Sequence, residues 1–186
     1  METLRTRLRR DTQTAHANLD RVITAFDMAS VPGLKAFLSL QRHALTTLTK
    51  TDPVPACAPM IQDLLVRIDE DQRKIGATGP FAPDPFRCHF HPKAVDYVMA
   101  GSRLGTTVLR RQWEASKSDL VQQTNAYFSA PSYVEYWKQF SKDAADMSGD
   151  TGISAQICAD AGLIFEFYTF HAKDLLPETK RMQTDA

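Results

Sequence analysis

Apolar positions along this chain recur at the three-to-four-residue spacing of helix faces, and no segment alternates convincingly as a half-buried strand would. In the first segment Leu4, Leu8, Ala15, Leu19, Val22 and Phe26 fall within a stripe roughly 60° wide at about 100° per residue. Arg7, Arg10, Gln13, Thr14, Asn18 and Arg21 lie away from that stripe. Prolines stand at 32, 53, 55, 59, 80, 83, 85, 92, 131 and 177, and the stretches between these clusters carry the helical period. Proline stops or starts helices, so its positions mark joints. Together these signals predict helices over about 3–27, 32–50, 58–75, 93–115, 117–129, 131–147 and 152–176. The fold class is therefore all-α, a multi-helix bundle. It is expected to occupy residues 1–176 as one domain, with 177–186 as a flexible tail that has nothing to bury. The connection from Gly76 to Pro92, rich in proline and aromatics, reads as a segment packed over the body rather than a free linker.

Charge narrows the partners. Lys+Arg and Asp+Glu are 22 each in 186 residues, so no cationic field is present to attract a nucleic acid by counterion release. No apolar run approaches the length of a membrane span, and the opening METLRTRLRR has neither an apolar signal core nor a small-residue cleavage site. Cys57, Cys88 and Cys158 are scattered and odd in number, which fits a reducing, cytoplasmic compartment better than a disulfide framework.

Two helices carry candidate chemistry. On the first, His16 sits at the edge of the apolar stripe beside Thr12 and Ile23. An imidazole there is either half-buried and satisfied by hydrogen bonds or a metal ligand through one nitrogen. Arg5, Arg7, Arg9 and Arg10 read either as a solvated rim or as cations holding carboxylates at a pocket mouth. On the second, residues 94–113 keep the helical pattern despite Gly101 and Gly105, each costing roughly 1 kcal/mol relative to alanine. Four residues apart, the two glycines stack about 6 Å along one face. The strip they form admits either another helix or a flat ligand. Ser102 and Thr106 flank it with hydroxyls that can order water, and Arg103, Arg110 and Arg111 are expected to keep the far side wet.

Taken together, Leu8-Arg9-Arg10-Asp11-Thr12-Gln13-Thr14-Ala15-His16 and Tyr97-Val98-Met99-Ala100-Gly101-Ser102-Arg103-Leu104-Gly105 resemble the proximal and distal helices of the haem oxygenases, in particular the bacterial, biliverdin-producing branch. The resemblance implies an enzyme for which haem is both cofactor and substrate. It would consume O2 and electrons from a ferredoxin or other reductase, and release biliverdin, carbon monoxide and ferrous iron. It implies His16 as the iron ligand and Gly101, Ser102 and Gly105 as the catalytic strip over the haem face. Arg9, Thr12, Lys138, Lys142 and Phe165 are the remaining haem-binding positions it suggests, with Arg9 and the two lysines facing propionates or the reductase. A solvated helix face explains the lysines equally well. A bilin-binding photoreceptor is a downstream user the resemblance allows. Ser102 stands where many animal members carry a carboxylate, and Thr106 where many members have a further glycine, so that β-branched side chain is expected to narrow the pocket.

The rival classes are a non-catalytic haem-binding or storage protein on the same scaffold, a thiamine-pyrimidine hydrolase and a ferritin-like di-iron bundle. The hydrolase needs a nucleophilic cysteine with carboxylate support, a setting that neither Cys57 nor Cys158 shows in sequence. The di-iron bundle needs Glu-x-x-His pairs, and no glutamate has histidine three residues later. Cys88-His89-Phe90-His91 lacks a second ligand pair at zinc-like spacing. His43 and His171 read as surface or rim histidines.

Overall fold

A computed structural model of the chain describes residues 2–81, 84–86 and 89–177. The expected tail from residue 178 onward lies outside the described residues, as does Cys88. Among the described residues seven helices follow in order: α1 Leu4–Thr24, α2 Val31–Leu48, α3 Ala58–Ile75, α4 Pro92–Glu114, α5 Asp119–Gln123, α6 Val134–Asp146 and α7 Gly152–Leu175. Among the described residues there is no strand, only a single bridge between Thr3 and Ser148. The all-α multi-helix bundle is thus the observed architecture.

Local chemistry explains the boundaries. Thr3, Ser30, Ser118 and Thr151 each accept the backbone N–H three residues on, and Pro32, Pro59 and Pro92 stand in first turns, where a missing N–H costs nothing. Gly76 closes α3 at φ 83°, a conformation that favours glycine.

The fifth helix differs from expectation. It ends at Gln123 rather than near 129, because the backbone N–H groups of Ala126 and Tyr127 turn to the carboxylate of Asp71, each at 2.9 Å. Two other buried carboxylates act alike: Asp96 accepts from Cys57 N and Asp160 from His91 N, both at 2.8 Å. Burial disfavours the charged form and raises the Asp71 pKa, while the two N–H donors work against that rise. These aspartates tie loops to helices, and no periodicity announces them.

The central element is α7. Ile157, Ala161, Ile164, Phe167, Tyr168 and His171 are all buried on it, on several sides of the helix, as expected for a helix surrounded by others. It packs against α1, α4 and α2, while α4 also packs against α6 and α2 against α3. The connection after Gly76 lies on this body: Phe86 meets Phe167 and Phe170 edge-on at 5.7 and 5.9 Å, and Thr78 N donates to Ser39 Oγ. No helix among the described residues is long and apolar enough to cross a membrane.

Candidate functional site

Both α1 and α4 lean on α7 and have no extensive contact with each other. The gap between them opens as a cavity of about 540 Å³, within the range of roughly 300–1,000 Å³ typical of small-molecule sites. The C-terminal half of α1 contributes His16, Leu19, Asp20 and Ile23 to its wall. The glycine segment of α4 contributes Val98, Gly101, Ser102, Gly105 and Thr106, while Phe165 and Tyr168 of α7 and Trp137 of α6 complete it. The lining is largely apolar and aromatic, with Asp20 the single carboxylate.

His16 is more open than the expected half-buried position: its side chain is 54% exposed. The ring lies against Phe165 with centroids 5.1 Å apart, and Nε2 is 3.7 Å from Asp20 Oδ2, one turn along the same helix. At that separation the carboxylate is an electrostatic neighbour of the ring and not a hydrogen-bond acceptor. Facing it from α4, the two glycines differ in surroundings. A methyl group on Gly101 would touch Trp137 Cζ3 at 3.4 Å, ordinary van der Waals contact. One on Gly105 would meet nothing within 4 Å. No packing neighbour therefore demands a glycine at 105.

The hydroxyl groups beside the strip are oriented by their own helix. Ser102 Oγ donates to Met99 O at 2.9 Å and Thr106 Oγ1 to Ser102 O at 3.3 Å. Each keeps acceptor capacity, so each can receive a hydrogen bond from water. Thr12 does not line the cavity. It is buried, donates to Leu8 O at 2.7 Å and thus accepts from the Tyr97 hydroxyl at 3.3 Å, fixing an aromatic side chain that does line it.

The expected cations are placed elsewhere. Arg9 is exposed and outside the lining. Lys138 pairs with Glu135 at 2.8 Å on the solvent side of α6, and Lys142 is exposed. Their neighbours Arg7 and Arg10 bind carboxylates of the chain itself, Asp11 and Glu2, rather than waiting at a mouth. The resemblance had grouped these residues with His16, but the cavity begins further along α1 than Arg9 and its lining includes neither lysine. Arg103 also departs from its expected wet face. It is buried, with its guanidinium over the rings of Tyr127 and Tyr133 at 5.1 and 5.8 Å.

Trp137 was passed over in the sequence, where the segment around it drew attention for its lysines. The signal was present: Tyr133, Trp137 and Phe140 share one face of a helix. Neither described cysteine is a nucleophile. Burial pushes the Cys158 thiol up to about 11, and burial next to Asp96 raises Cys57 further, so both stay protonated at neutral pH. His171 is not a rim residue, being fully buried, while His43 is partly buried at the edge of a second cavity.

Comparisons with family models, with curated proteins and with solved structures find no match for the chain.

Proposed function

We propose that the chain is a haem oxygenase that opens haem to biliverdin in the cavity between α1 and α4. One observation carries the reading: a single apolar cavity is lined at once by His16, by Phe165 and by the bare strip from Gly101 to Gly105. The donor set fits the group. A neutral imidazole is a haem-iron ligand, and Gly101 and Gly105, which add no side chain to the wall, would leave room for a diatomic gas. Aromatic and aliphatic residues supply the rest of a surface suited to a flat macrocycle. Among the described lining residues no lysine or arginine would receive the propionates.

Bound there, haem supplies the redox chemistry by which its own ring is opened, with O2 and electrons from a ferredoxin or other reductase, releasing carbon monoxide and ferrous iron. The residues of the chain position and exclude. His16 would hold the iron, with the Asp20 carboxylate as its electrostatic neighbour. Gly101 and Gly105 keep side chains away from the face over which α4 runs. Ser102 Oγ and Thr106 Oγ1, their protons held by backbone carbonyls, accept hydrogen bonds from water on that face. Trp137 and Phe165 exclude bulk water from two sides.

The test is aerobic incubation of the hemin-loaded protein with a reductant such as ascorbate. Loss of the Soret band with growth of biliverdin absorbance supports the enzyme. A Soret band that persists supports the rival, a haem carrier on the same scaffold. The feature favouring that rival is Thr106, which adds a β-branched side chain to the cavity wall.

A further inference from the structure

On α2, Phe37 and Gln41 face the cavity described above, whereas Ser39 and His43 lie about 200° away at 100° per residue, on the opposite face. A second cavity, of about 600 Å³, opens there beside His43, Thr46 and Phe81. Behind it three side chains from three parts of the chain converge: His43 of α2, Asp84 of the connection before α4, and His171 of α7. One potential ligand atom from each lies within 4.8 Å of the others.

His171 is the unusual member. It is 0% exposed, and neither ring nitrogen has a hydrogen-bond partner; Nε2 of His43 is likewise buried without one. Asp84 Oδ1 is 3.9 Å from His171 Nε2, beyond hydrogen-bond reach. Aromatic rings pack on both imidazoles: Phe167 and Phe170 lie at centroid distances of 4.8 and 5.0 Å from His171, and Phe81 stacks on His43 at 4.2 Å, while Asp174 acts electrostatically on His171 and Lys50 on His43. Buried polar groups normally find partners, because each one left without costs about 1–3 kcal/mol. Each neutral imidazole offers one lone pair, so a cation beside the Asp84 carboxylate would satisfy Nε2 of His43 and one nitrogen of His171, whose other nitrogen keeps its proton.

We propose that His43, Asp84 and His171 form a binding site for a divalent metal ion, Zn2+ by ligand chemistry, with a fourth position open to the second cavity. Two imidazoles and a carboxylate without thiolate suit borderline metals such as zinc, and three protein ligands plus one solvent position is the geometry of an open zinc site. Burial keeps both imidazoles below their ordinary pKa, so they are neutral and ready to coordinate at neutral pH. With metal–ligand bonds near 2.0–2.1 Å, tetrahedral donors stand about 3.4 Å apart, so the three must draw in by about 1.4 Å at most. Asp84 sits on a connecting segment rather than a helix, and its Oδ1 accepts from Phe86 N at 2.8 Å.

The experiment is a titration of the full-length, EDTA-treated and dialysed protein. Co2+ alone is followed by its visible d–d absorption, and Zn2+ alone by competition with a chromophoric chelator. One equivalent of each is expected, Co2+ with the intense band of a four-coordinate site. Affinity should fall at least a hundredfold in Asp84→Asn and in His43→Ala. His171→Gln should behave the same, provided its far-ultraviolet circular dichroism is unchanged. His16→Ala and Cys88→Ala should bind Zn2+ as the wild type does, which separates this site from the proposed haem ligand and from the Cys88-His89 segment. Less than one equivalent bound by the wild type, wild-type affinity in both Asp84→Asn and His43→Ala, or loss of binding in Cys88→Ala would overturn the proposal.

Discussion

Gly105 offers a perturbation whose effects on stability and on binding carry opposite signs. It lies inside the 23-residue α4, where glycine costs about 1 kcal/mol relative to alanine or leucine through backbone entropy. A β-carbon there meets no atom within 4 Å, so no clash offsets the gain in helix propensity. Gly105→Ala and Gly105→Leu should therefore each stabilise the ligand-free protein by about 0.8–1 kcal/mol. For a chain of this length that corresponds to a melting temperature higher by about 2–4 °C. Because Gly105 lines the cavity, the leucine side chain projects into the space we assign to the porphyrin. Hemin affinity should fall at least tenfold in Gly105→Leu, about 1.4 kcal/mol or more, and less in Gly105→Ala. Thermal denaturation of the ligand-free proteins and hemin titration followed at the Soret band read the two effects separately. A leucine variant that is more stable and binds hemin like the wild type would refute the assignment of the strip. A destabilised alanine variant would refute the packing argument beneath it.

Three further outcomes test the fold. Asp71→Ala removes the acceptor of two buried N–H groups, at Ala126 and Tyr127, and should destabilise the protein by roughly 3 kcal/mol or more, read from urea midpoints; a loss below about 1 kcal/mol would show that these bonds are dispensable. Gly33→Ala places a β-carbon 2.1 Å from the carbonyl oxygen of Asp27, backbone that cannot step aside, and should cost about 2 kcal/mol or more in the same assay; unchanged stability would contradict the close approach. His91 caps α4 through Nδ1, which accepts from Lys93 N at 3.1 Å, and burial holds its pKa below the ordinary 6.5. The unfolded chain then binds a proton more readily than the folded one, so this contribution is complete above about pH 6.5 and is lost as pH falls below it toward the lowered folded value. His91→Asn keeps a cap acceptor without the titration, and should lose less stability than the wild type between about pH 7.5 and about pH 5.5; equal losses would contradict the capping role.

Proline placement and apolar period carried the element order, because in a helical protein both report the same local event, the start or end of hydrogen-bonded turns. Where the reading went astray, a long-range bond had overridden local preference. The period predicts helix through residue 129, yet Asp71, more than fifty positions earlier, captures the N–H groups of Ala126 and Tyr127. The cavity was legible at His16, Ser102, Gly105 and Phe165, since a bare strip and a histidine at a stripe edge are visible in one dimension. Arg9, Lys138 and Lys142 were not, since a charge on the correct helix tells nothing of how far the cavity extends along it. Arg103 shows the same limit: its burial depends on Tyr127 and Tyr133 meeting the guanidinium from other elements. The pairing of His43 with His171 spans 128 positions and leaves no local trace, so only the folded arrangement reveals it.

The most direct measurement of the central claim is hemin titration of the wild type beside His16→Ala, followed by the Soret band. One equivalent bound by the wild type, with a spectrum of axial imidazole ligation that the variant loses while keeping its helical circular dichroism, is the expected result. An identical ferric spectrum and affinity in the two proteins, or no saturable binding by the wild type, would contradict it.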